Sequence, residues 1–228
     1  MQAHVYSAEP MPSRRSGRPG ASGPARPLAV AGLCVLALVL VWVIASELPA
    51  GQLRDAAALR DFTLLGQPRV DAVANFLLKL LEPLLFTIWG ALLVLVAVAR
   101  QRPRVAAAVV AVMALAPLSA ELLKPLLAHP HASAGGVYVG PASWPSGHST
   151  AALALVLCVV LVAPSHLRPM LAAAGAVFAG AVGVSLLILA WHMPSDVLAG
   201  YLVAALWMAL AVAVLRAADR RWPARFPI

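Results

Sequence analysis

Residues 27–46 read PLAVAGLCVLALVLVWVIAS, twenty positions without a charge. At about 1.5 Å per residue, a helix of that length covers about 30 Å, the hydrocarbon thickness of a bilayer. The reading is a membrane-spanning helix, and the rest of the chain repeats the pattern. Comparable runs follow at Asn75–Ala99, Val105–Leu127, Ser146–Ala163, Met170–Trp191 and Asp196–Leu215. The second is free of charge only from Pro83 onward, and the third is interrupted late by Glu121 and Lys124. The expected fold is therefore an all-α integral membrane protein with six transmembrane helices.

Composition agrees. Of 228 residues, 62% are hydrophobic and 11% charged, with mean hydropathy +0.87. A soluble domain is about 45–50% apolar and about 25% charged. A soluble enzyme is thus excluded, and so is disorder over most of the length. No strand-like alternation of apolar and polar residues argues for an outer-membrane barrel.

Three regions are expected. Residues 1–26, rich in Pro, Gly, Ser and Arg, cannot bury enough apolar surface to order themselves and read as a flexible basic tail. A cleaved signal peptide is the rival reading, but the arginine-bearing lead and long apolar run favour a retained first helix. Residues 27–215 form the membrane domain, and 216–228 a second tail. The links 100–104 and 164–169 are too short for another domain. Residues 51–71 mix Leu53, Ala57, Leu59, Phe62 and Leu65 with charges, which suits an amphipathic interfacial helix or a plain polar loop.

Charge sets the orientation. Six spans put both termini on one side, with twelve arginines: 14, 15, 18, 26, 100, 102, 104, 168, 216, 220, 221 and 225. The other side has Arg54, Arg60 and Arg69, each near Asp55, Asp61 or Asp71. Cytoplasmic segments gather arginine, so both termini are expected in the cytoplasm, with 127–147 and 192–195 facing outward. The formal charge of +8 therefore reflects topology; with no basic patch interleaved with aromatics, no nucleic-acid partner is expected. Cys34 and Cys158 each lie inside an apolar run and read as small buried side chains.

Ionisable groups are costly near a bilayer and usually mark function. Here they gather at one depth: Glu121, Lys124, His129 and His131 after the third span, Pro145-Ser146-Gly147-His148 opening the fourth, and Ser185, His192 and Asp196 around the fifth and sixth. Pro-Ser-Gly starts a helix whose free N–H groups and dipole make an anion site. Gly147 admits close backbone approach, Ser146 adds a hydroxyl and Lys124 a positive charge. His192 and Asp196 are four apart, so the carboxylate can hold one imidazole nitrogen and leave the other free as a nucleophile. His148 can supply a proton to a leaving oxygen. Each group also has a plainer reading: a capping or solvated histidine, a snorkelling lysine, an ordinary helix start. Lys79 and Glu82 read as a helix ion pair, and Trp144 and Trp191 as interfacial belt residues or as a grip on a lipid chain.

With these residues in view, the sequence resembles the type 2 phosphatidic acid phosphatase (lipid phosphate phosphatase) superfamily, over about residues 70–215. The family signature is KxxxxxxRP, PSGH and SRxxxxxHxxxD. Residues 145–148 match the second part in full; Ser185, His192 and Asp196 match the third in spacing; Lys124 matches the start of the first. The resemblance implies a metal-independent, cofactor-free phosphatase acting on a lipid phosphate or polyprenyl pyrophosphate in a bilayer. His192 would be the nucleophile that becomes phosphohistidine, Asp196 would orient it and His148 would be the general acid. Lys124, Ser146 and Gly147 would hold phosphate oxygens.

The chain departs from the signature at both arginines. His131, followed by Ala132, and Leu186 stand in their places. Neither copies the bidentate guanidinium fork, and loss of one preorganised donor typically costs about 10²–10³ in rate. Protonated His131 or His129 would replace one arginine in part, and Glu121 would pair with Lys124. Three functions follow: hydrolysis, transfer of the phosphoryl or head group to an alcohol by the same histidines, and lipid-phosphate binding without catalysis. The Ala, Val and Arg content points to a GC-rich bacterial genome. The setting would then be the cell membrane, with the site on its extracytoplasmic side.

Overall fold

The computed structural model describes residues 23–132 and 136–222. Eight helices make up this part: α1 Ala25–Ser46, α2 Pro49–Thr63, α3 Pro68–Lys79, α4 Pro83–Ala99, α5 Pro103–Leu126, α6 Gly147–Val162, α7 Arg168–Ile188 and α8 Pro194–Arg221. No β-strand occurs among the described residues. Proline stands in the first turn of α2, α3, α4, α5, α7 and α8, where its missing N–H has no intrahelical partner to lose. The prolines therefore set most boundaries.

Four helices, α1, α5, α7 and α8, are long and apolar enough to cross a membrane. A fifth crossing is formed if α3 and α4 count as one element bent by 52°. The run 75–99 is not one straight helix: the chain breaks at residues 80–82, where Glu82 caps α4 and Pro83 starts it. Lys79 and Glu82 fall on opposite sides of the break instead of pairing along one helix. The run 146–163 forms α6, which is apolar but only 16 residues long, about 24 Å. Most of the stretch 51–71 is helical, not a plain loop: α2 buries Ala56 and Leu59 and leaves Leu53 exposed, and Leu65 is exposed in the turn before α3.

The expected tail 1–26 lies mostly outside the described residues, although α1 begins at Ala25. At the other end α8 continues six residues past Leu215, to Arg221. An Arg104–Asp219 ion pair at 3.0 Å ties that extension to the start of α5.

Two apolar clusters organise the bundle. One joins α5, α6 and α8 through Val109, Val112, Ala116, Ala154, Cys158 and Ala204. These side chains are mostly small, which lets membrane helices approach closely where apolar burial gives little drive. The other sits at the end where α6 and α8 begin. It gathers Leu59 of α2, Leu78 of α3, Val139 of the α5–α6 loop, Val182 and Leu186 of α7, and Met193. Thus α2 and α3 pack over the α7–α8 turn. The exposed leucines and valines along α1 and α4 suit hydrocarbon as their solvent.

Candidate active site

The site is built on how α7 stops and α8 starts. Ala190 sits in the left-handed region at φ 53°. Its N–H donates to the Leu187 carbonyl at 3.1 Å, and the Trp191 N–H donates to Leu186 at 3.0 Å. This pairing closes the last turn of a helix while turning the chain away. His192 follows, then Met193 caps α8. The Asp196 carboxylate reaches back to that cap: Oδ2 accepts the Met193 N–H at 2.9 Å, the acidic half of a capping box. The same oxygen lies 3.3 Å from His192 Nδ1. Asp196 is fully buried, and its Oδ1 has no partner among the described residues.

With Nδ1 facing the carboxylate, the proton of a neutral imidazole is held there, and the Nε2 lone pair is left available. His192 makes no other hydrogen bond among the described residues, and its side chain is 11% exposed.

The start of α6 is fastened to this turn through backbone. The Ser146 N–H donates to the Asp196 carbonyl at 2.9 Å. Ser146 caps α6, its Oγ accepting the Ser149 N–H, while its carbonyl accepts the hydroxyls of Ser149 and Thr150. A Cβ on Gly200 would run into Ser149 Oγ and the Ser146 carbonyl. Glycine there lets α8 press against the first turn of α6.

His148 occupies that first turn. Its ring meets Trp191 edge to face, with centroids 5.9 Å apart. The ionisable groups bearing on it are His192, Lys124, Glu121 and Glu82. Lys124 Nζ is 2.7 Å from Glu121 Oε1, so the expected pair forms. A Cβ on Gly147 would lie 2.6 Å from Glu121 Oε1 and 3.8 Å from Lys124 Nζ. The ion pair therefore stands directly over the α6 N-terminus. The structure brings Lys124, Ser146, Gly147, His148, His192 and Asp196 to one end of the bundle.

The two signature-arginine positions behave differently. His131 Nε2 lies 2.9 Å from Ser143 Oγ, and its ring meets His129 edge to face at 4.7 Å. Burial holds His131 below the usual histidine range, with Asp196 opposing and His129 and His192 reinforcing. It is thus a neutral hydrogen-bonding group, and burial disfavours the charged stand-in. Leu186 is fully buried in the apolar cluster with Val182, Leu187 and Met193. The neighbouring Ser185 hydroxyl is turned back to the Ala181 carbonyl. Trp144 is buried, not an interfacial belt residue, whereas Trp191 is 46% exposed.

Sequence reasoning missed Asp55. It was read only as a neighbour balancing Arg54. In the structure its carboxylate accepts both the N–H and the hydroxyl of Ser195, in the residue next to Asp196. No local signal marks this contact, because 140 residues separate the partners. Among the described residues no group of three or more His, Cys, Asp or Glu side chains is arranged to hold a metal ion.

The sequence profile of the PAP2 superfamily matches residues 76–220. The chain belongs to the PAP2 superfamily. The match runs from the end of α3 into α8 and takes in the polar groups of the site other than Asp55. Among solved structures, the crystal structure of a transmembrane PAP2-type phosphatidylglycerolphosphate phosphatase from Bacillus subtilis superposes with TM-score 0.67. It is 23% identical, and the alignment covers 88% of this chain and 98% of that one. At that identity the likeness speaks for the PAP2 fold alone. No curated protein matches the sequence.

Proposed function

We propose that this PAP2 protein hydrolyses a lipid phosphate or pyrophosphate through a phosphohistidine on His192. The observation that carries the reading is the Asp196 carboxylate facing His192 Nδ1 across 3.3 Å, which leaves Nε2 as the nucleophile. Nε2 attacks phosphorus as the bond to the leaving oxygen breaks. His148 gives that oxygen its proton, and buried Asp196 balances the positive charge on the phosphorylated ring. His148, now neutral, takes a proton from water. The hydroxide displaces the imidazole and phosphate departs, with no metal or cofactor in either step.

Ser146, the Gly147 N–H and Lys124 hold the phosphate oxygens at the α6 N-terminus. His131 enters as a neutral hydrogen-bonding partner. On this reading residues 27–215 form a six-crossing membrane domain between two cytoplasmic tails, by the arginine count. The site then faces the extracytoplasmic side of the cell membrane.

The test is phosphate release by the purified protein in detergent from phosphatidic acid, phosphatidylglycerol phosphate and a polyprenyl pyrophosphate. Release that disappears in His192→Ala is expected; release that survives it removes the mechanism. A second reading, lipid-phosphate binding without turnover, is favoured by the apolar burial of Leu186 and by Glu121 occupying Lys124. Its outcome is phosphate-lipid binding that persists in His148→Ala, with no release by the wild type.

A further inference from the structure

Every hydrogen bond that orients His192 comes from its own turn, yet that turn is also held from outside. Ser195 is the second residue of α8, and its N–H is one of the four at a helix start that the helix itself cannot satisfy. Asp55 Oδ1 accepts it at 3.0 Å, and Asp55 Oδ2 accepts the Ser195 hydroxyl at 2.5 Å. A carboxylate normally does this from within the same chain segment. Here it arrives from α2, a helix outside the matched family region. The N-terminal pole of α8 favours negative charge, so Asp55 and Asp196 both settle on it.

Asp55 is mostly withdrawn from solvent, with Asp196 and His129 as the ionisable groups that face it. α2 is itself anchored: Leu59 is buried in the cluster that holds Met193 and Leu186, and the Gln52 side chain bonds the Ser46 carbonyl at the end of α1.

Resting on the phosphohistidine reading, we propose that Asp55 is a positioning residue. By capping α8 from α2 it fixes the turn that aims His192 at phosphorus. Asp55 touches neither substrate nor the reacting atoms. Its removal frees the Ser195 N–H and hydroxyl, loosens residues 192–196 and spreads the orientations of the imidazole. Misplacement of a reacting group by about 1 Å can cost about 10²-fold in rate. The loss should therefore fall on kcat and leave lipid affinity alone.

The experiment compares wild type, Asp55→Ala, Asp55→Asn and Ser195→Ala as full chains in detergent, with phosphatidic acid as substrate. Asp55→Ala is expected to lower kcat about 10–100-fold with KM within about twofold. Asp55→Asn keeps an oxygen for the N–H and an amide for the hydroxyl, and should recover most of kcat. Ser195→Ala, which retains the N–H bond, should lose less than Asp55→Ala. Amide exchange by mass spectrometry is the arm independent of turnover: Asp55→Ala should speed exchange in the start of α8, with the Ser146 N–H bonded to it, and spare α5 and the far end of α6. Unchanged kcat in Asp55→Ala overturns the proposal, as does a parallel rise in KM, failure of Asn to rescue, or unaltered exchange at α8. A wild type that releases no phosphate while exchange responds as expected points instead to failure of the hydrolytic reading. The clamp then stands, without its catalytic role.

Discussion

Putting the signature arginine back at position 186 is predicted to damage this protein. Leu186 has no exposed surface and lies in the apolar cluster with Leu78, Val182 and Met193. Leu186→Arg forfeits the burial of a leucine side chain, about 1.5–3 kcal/mol. It also leaves a cation among those side chains without a bonded partner, which costs about 3–5 kcal/mol. Together these come to about 4.5–8 kcal/mol, comparable to the roughly 5–15 kcal/mol that holds a typical domain folded. The variant should express poorly, unfold far below the wild type in a fluorescence-monitored melt in detergent, and release no more phosphate per folded molecule. A variant that melts within a degree or two of wild type and turns over faster would refute the reasoning. The guanidinium would then have left the cluster and reached phosphate, and the cluster would not be the fixed apolar shell described above.

Asp196→Asn can keep its oxygen at the position shared by the Met193 N–H and His192 Nδ1, so the tautomer survives, but the negative charge that balances the phosphorylated ring is gone. kcat should fall by about 10²–10³ with little change in melting temperature. Ala190→Gly relieves a non-glycine residue at φ 53° and should stabilise the fold by about 0.5–1 kcal/mol, read as a higher melting temperature with activity retained. His131 is held below its ordinary range by burial. The unfolded chain thus binds a proton more readily than the fold, so this contribution to stability is present above about pH 6.5 and is lost as pH falls from there toward the folded value. Melting temperature measured from pH 7.5 to 5 should decline in the wild type and decline less in His131→Gln.

The polar groups of the site were legible because each interrupts an apolar run, and a charge near hydrocarbon stands out against its surroundings. Their order along the chain and the crossing pattern were enough to predict that Lys124, His148 and His192 share one end. The bend at residues 80–82 was hidden because Leu77, Leu78, Leu80 and Leu81 carry an apolar run up to Pro83 in spite of Lys79 and Glu82. Its mark was the Glu-Pro pair, which also ends a helix in soluble proteins. α8 likewise runs past the apolar stretch that marks it in the sequence. Apolarity stops at Leu215, but a helix continues into water when a partner holds it, as Arg104 does through Asp219. Leu186 read as a missing arginine; only packing reveals it as a member of a core. Asp55 could not be found at all, because one aspartate in an amphipathic helix looks like another until the fold brings Ser195 to it.

The bond from Ser146 N–H to the Asp196 carbonyl has a consequence for life in a variable bilayer. Helices lean to match the thickness of the lipid around them, and a cleft lined by independent helices would widen or narrow as they lean. Here the segments carrying His148 and His192 are stitched main chain to main chain, and Gly200 lets α8 seat against the stitch. When α8 leans, the start of α6 leans with it. The spacing between the two histidines is thereby insulated from membrane composition, and adaptation to thicker or thinner lipid is left to α1, the bent α3–α4 pair and the far ends of the bundle.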